Sequence, residues 1–62
     1  MCLSTVYKNA KEPANIVMSN VQAIEVEEGQ ILLTDLMERQ TVIVGTLVSV
    51  DLIGGVAIVK EA

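Results

Sequence analysis

Histidine, phenylalanine and tryptophan are absent from the 62 residues; cysteine, tyrosine and proline occur once each, and only four side chains are basic. Each shortage removes a class of function. Without histidine the chain lacks the commonest general base and the commonest metal ligand, and a single cysteine forbids an intrachain disulfide. No nucleophile–base pair is visible, which argues against an enzyme. One aromatic, Tyr7, and four cations, Lys8, Lys11, Arg39 and Lys60, offer little for stacking bases or tracking phosphates. Eight acidic residues bring the net charge to −4 at pH 7, so a nucleic-acid surface is not expected as a global property. The first eight residues lack a basic region followed by an apolar one, so no secretory signal is read and a reducing, cytoplasmic setting is expected, with Cys2 a free thiol.

What is abundant is aliphatic: 52% of the chain is apolar, which excludes a disordered tail. Residues 41–59 are apolar enough to raise a membrane span, but Asp51 would sit in mid-bilayer and no Lys or Arg cluster flanks the segment. Valine and isoleucine, punctuated by Gly45 and Gly54-Gly55, fit short strands better.

The pattern predicts strands over 3–8, two short strands within 15–27 broken near Ser19-Asn20, then 31–35, 40–44, 47–52 and 56–61. The segment 9–13 reads as a polar turn, Glu28-Gly29 as a hairpin turn, 36–39 as a tight connection, Gly45 as a bend or bulge, and Gly54-Gly55 as the last turn. Five to seven short strands joined by tight turns point to an all-β fold, a small antiparallel barrel whose closure would protect its sticky edges. No repeat, low-complexity segment or linker divides the chain, so residues 1–62 read as a single domain. So small a chain buries only about 60% of the surface its unfolded form exposes. With no disulfide and no large aromatics it gains most from a homodimer.

Among residues that could carry chemistry, Glu25, Glu27 and Glu28 lack the loop spacing of a calcium site and read as a solvated strand face and turn. Asp35 and Asp51 each stand before a Leu at a strand end and read as side-chain caps on turns. Gly54-Gly55 leads into a strand, not a helix, and so is no phosphate loop. Cys2 differs because of its position. If Met1 is removed, the α-amine and the thiol together form a five-membered chelate for a soft-to-borderline divalent metal. One chain offers about two donors, and two chains about a two-fold axis offer about four. A planar nitrogen–sulfur set suits Ni(II) or Cu(II) better than tetrahedral Zn(II). The alternative is a tolerated, small hydrophobic cysteine.

The opening Met1-Cys2, with Ser4 and Val6-Tyr7, resembles the start of the CooT family, small nickel-binding proteins associated with carbon monoxide dehydrogenase. The similarity continues through Val21, Ile24 and Val26 with Glu27 and Gly29, through Ile31 and Leu33-Thr34-Asp35-Leu36, and through Gly45, Leu47 and Val50-Asp51-Leu52. The resemblance implies a homodimer of SH3-like or Sm-like barrels holding about one Ni(II) per dimer through Cys2 of both chains, with no other ligand side chain carried over. The function it implies is that of a nickel metallochaperone, a non-enzymatic accessory protein supplying carbon monoxide dehydrogenase or another nickel protein. Two alternatives stay open: a metal-independent protein-interaction module, and an Sm-like RNA-binding module.

Overall fold

The computed structural model describes residues 3–62. Five strands, β1 (Ser4–Lys8), β2 (Ile16–Glu27), β3 (Gln30–Asp35), β4 (Gln40–Asp51) and β5 (Val56–Glu61), close into a barrel in the order β1-β2-β3-β4-β5. Consecutive strands are antiparallel, as expected from the tight turns between them. The seam that closes the ring is instead parallel, with Thr5 opposite Val56 and Lys8 opposite Val59. The first and last strands run the same way because three of the four connections are simple reversals and the fourth, residues 9–15, is another; an odd-membered ring must have one parallel pair. The all-β barrel is as anticipated, with the count at the lower end of the expected range.

That count falls to five because two expected breaks are bends within long strands. β2 continues through Ser19-Asn20, with Asn20 at φ 54° and a register shift between Val21 and Ala23. Asparagine tolerates this left-handed backbone better than most residues. β4 likewise runs unbroken through Gly45, its first half pairing with β3 and its second with β5. Glycine is required there by close approach: a Cβ would collide with the Lys60 carbonyl oxygen and lie 2.9 Å from Glu61 Cα. Residues 9–13 leave the strand as expected, but the connection ends in a single 3-10 turn, Pro13–Asn15, with proline pre-set at its start.

Alternation places Val6, Val21, Ile31, Leu33, Ala57 and Val59 in the core, with Val17, Met18, Ile24, Ile43 and Leu47 packed against it. Each fully buried branched side chain contributes about 1.5–3 kcal/mol. The core is small, and apolar residues are left outside it: Val42, Val44 and Val48 all point away from the barrel on β4.

Candidate functional site

Cys2, the expected metal ligand, lies outside the described residues. What the structure places is the point where the chain enters the barrel. Thr5 N donates to the Gly55 carbonyl at 2.8 Å, and Gly55 has φ 68°, a backbone that strains any other residue, with the Leu3 carbonyl oxygen a tight 3.1 Å from where its Cβ would be. The turn between β4 and β5 is therefore the seat of the N-terminal segment. Two aliphatic side chains crown that turn, Leu52 at 76% exposure and Ile53 fully exposed.

Beside them is a groove of about 320 Å³, lined by Ser4 of β1, residues 21–24 of β2, Leu47 and Val50 of β4, and Leu52. None of these side chains ionises. Val50 belongs to it because of a register shift between Leu47 and Ser49, which pairs Val50 with the buried Ala57 while Val50 itself stays 42% exposed at the groove. Sequence reasoning missed this groove and the apolar tip. Its signal was present: Leu52-Ile53 puts two aliphatics in a turn, where polar residues are usual.

The two aspartates cap turns as expected. Asp51 Oδ1 accepts from the N–H groups of Ile53 at 3.1 Å and Gly54 at 2.9 Å, which shapes the tip. Asp35 Oδ1 accepts from the N–H groups of Met37 and Arg39, both at 2.9 Å, and Oδ2 from Arg39 Nε at 2.8 Å. Desolvation pushes the Asp35 carboxyl up, but the hydrogen bonds from the Arg39 backbone and guanidinium, the Arg39 charge and the Met37 N–H together outweigh it and hold it below its ordinary value. Asp35 is thus fully engaged in structure.

Glu25 and Glu27 lie on the exposed face of β2, with Glu27 accepting from Gln30 Nε2 at 3.3 Å, and Glu28 sits in the hairpin turn. Among the described residues no three His, Cys, Asp or Glu side chains come together as a metal site. Nor do the cations form a patch: Lys8 Nζ is 3.2 Å from Glu61 and Arg39 Nε is bound to Asp35. Among the described residues no helix is long and apolar enough to cross a membrane.

A family model described as CO dehydrogenase accessory protein CooT matches residues 1–60. The chain belongs to the CooT family. Its matched span includes Met1-Cys2 and every strand of the barrel except the last residue of β5. Membership implies an accessory role to carbon monoxide dehydrogenase, in a family described by that role and not by a catalytic one. Among curated proteins, none matches this chain.

Proposed function

We propose that this CooT-family chain binds Ni(II) through Cys2 and hands it to carbon monoxide dehydrogenase or another nickel protein, the metal being cargo shared between two copies of the chain. The observation that carries the reading is the family match across residues 1–60, which takes in the Met1-Cys2 start. Donor chemistry supports it. A Cys2 thiolate with a neighbouring nitrogen supplies about two donors per chain, and two chains supply the four that a nitrogen–sulfur nickel site needs. Release by ligand exchange requires a site open to a second protein. The setting of such a thiol is the reducing cytoplasm.

Native mass spectrometry of the untagged protein titrated with Ni(II), beside Cys2→Ser, tests this. The expected result is about one Ni(II) per pair of chains, lost in the variant. Unchanged nickel stoichiometry in Cys2→Ser would sink the reading.

A metal-independent interaction module is the second reading, and the outward valines of β4 favour it: Val42, Val44 and Val48 are all more than half exposed on one strand face. It expects Cys2→Ser to leave partner binding intact. The RNA-binding alternative loses ground, since two of the four cations are engaged by carboxylates.

A further inference from the structure

We infer that the outer face of β2, β3 and the first half of β4 docks an amphipathic helix of another protein, one whose aliphatic side chains are flanked by lysine or arginine. The inference goes beyond the metal reading and does not rest on it, since Cys2 takes no part.

Strand pairing fixes the face. Residues directly opposite on neighbouring strands share a face, so Glu25, Leu32 and Val42 form one row across the three strands, and Glu27, Gln30 and Val44 form the next. The intervening Ile31 and Leu33 are buried and Ile43 packs against the core, so both rows point outward. Val42 and Val44 are more than half exposed, and Leu32 is half-buried beside them. The result is an aliphatic stripe over β3 and β4 with a carboxylate edge on β2. Apolar residues scattered singly are ordinary on a surface, whereas a contiguous apolar patch rimmed by polar groups marks a contact site.

Charge selects the occupant. Glu25 and Glu27 stand two residues apart on one strand and leave the same face about 7 Å apart. Glu27 accepts only a neutral hydrogen bond from Gln30 Nε2, and among the described residues neither glutamate is paired with a cation. A lysine or arginine laid between them relieves their repulsion, while an acidic segment or an anionic membrane adds to it. A second copy of this chain does not match: it brings eight acidic side chains against four basic ones, and Lys8 and Arg39 are already bound to Glu61 and Asp35. A helix also suits the dimensions, because its diameter of about 10 Å covers two strands spaced about 4.8 Å apart and leaves a long basic side chain within reach of β2.

The test uses the full chain in the Cys2→Ser background, which takes the thiol out of the readout. The probe is a blocked peptide of about 14 residues with leucines at helical spacing and lysines along one flank, beside a twin with glutamate in place of lysine. Anisotropy of the labelled peptide gives affinity, and amide shifts of isotope-labelled protein give the site. The lysine peptide is expected to bind roughly 10-fold tighter than its twin and to shift residues 23–27, 30–34 and 40–44. With folding checked by circular dichroism, Glu25→Lys should weaken it roughly 5-fold, and Val42→Thr with Val44→Thr, which keeps the β-branched shape, roughly 10-fold. Glu12→Lys, an equal change of charge on the exposed connection before β2, should weaken it less than about 2-fold. Equal losses from Glu12→Lys and Glu25→Lys would mean attraction to net charge alone and overturn the inference. A lysine peptide that does not bind, valine replacements without effect, or shifts that map to the groove beside Leu52 overturn it too. So does self-association of the peptide-free chain that Val42→Thr with Val44→Thr abolishes, since a second copy would then be the occupant. Every arm is run without Cys2, so failure here leaves the nickel reading standing, and nickel retained in Cys2→Ser leaves this one.

Discussion

Two turns of this barrel are built from nearly the same words, Thr34-Asp35-Leu36 and Val50-Asp51-Leu52, and they end in opposite situations. Asp35 is 3% exposed and gathers two backbone N–H groups and a guanidinium. Asp51 is exposed and receives two N–H groups only. The local chemistry, a short carboxylate capping its own turn, is shared. What separates them is the phase of the strand that delivers them. β3 alternates without interruption, so Ile31, Leu33 and then Asp35 all face inward. β4 slips one register between Leu47 and Ser49, which pairs Val50, not Asp51, with the buried Ala57 and leaves Asp51 exposed. A one-residue slip exchanges the faces of everything downstream. The first turn thereby locks the barrel, while the second is free to present Leu52 and Ile53.

Removing each carboxylate in turn separates the two turns most directly. Asp35→Ala leaves the Met37 and Arg39 N–H groups without acceptors in a buried setting, and should lower the thermal midpoint by on the order of 10 °C, by differential scanning calorimetry. Equal losses from Asp35→Ala and Asp51→Ala would show that the motif matters and the burial does not. Acidification should act through the same residue. Its folded pKa is depressed, so its contribution is fully present above the unfolded value of about 3.9 and is lost as pH falls through the lower folded value. Urea midpoints measured from pH 6 down to pH 2.5 should therefore drop more steeply in the wild type than in Asp35→Asn, and parallel curves would contradict this.

Arg39→Met should cost less, about 3–5 °C, because its guanidinium is largely in water and screening weakens the pair, while the backbone N–H bonds to Asp35 remain. Smallest is Asp51→Ala, a loss of about 3 °C or less for an exposed turn cap. Gly54→Ala sharpens that last measurement, because the added Cβ would lie 2.6 Å from Asp51 Oδ2 and must displace it. The two variants should agree within error by calorimetry, and a much larger loss for Gly54→Ala would place the strain elsewhere.

Much of the architecture was legible in the residues. The alternation of Ile31, Leu33 and Asp35 against Leu32 and Thr34, the Glu28-Gly29 turn, and the Gly54-Gly55 turn are all local patterns, and local patterns report periodicity and chain reversal faithfully. The false break at Asn20, and the two strands expected either side of the Gly45 bend, arose because residues that permit unusual backbone look the same in sequence whether a strand ends or merely bends. The burial of Asp35 followed from the same alternation as Leu33, yet an aspartate beside a turn reads as exposed until its strand's inward phase is known. For the candidate site, Cys2 and its two-donor chemistry come from the sequence and the family alone.

By itself, then, the sequence determined the strand periods, the turns, the two carboxylate caps and, at Cys2, the chemistry on offer, all of which depend on neighbours a few residues apart. The tertiary structure decided the parallel closure of β1 on β5, the slip that divides Asp35 from Asp51, and the placing of Leu3, Ile53 and the groove at one end. Those are matters of pairing between residues as distant as Thr5 and Val56, and an alternating pattern carries the face of each side chain but not the identity of the strand beside it.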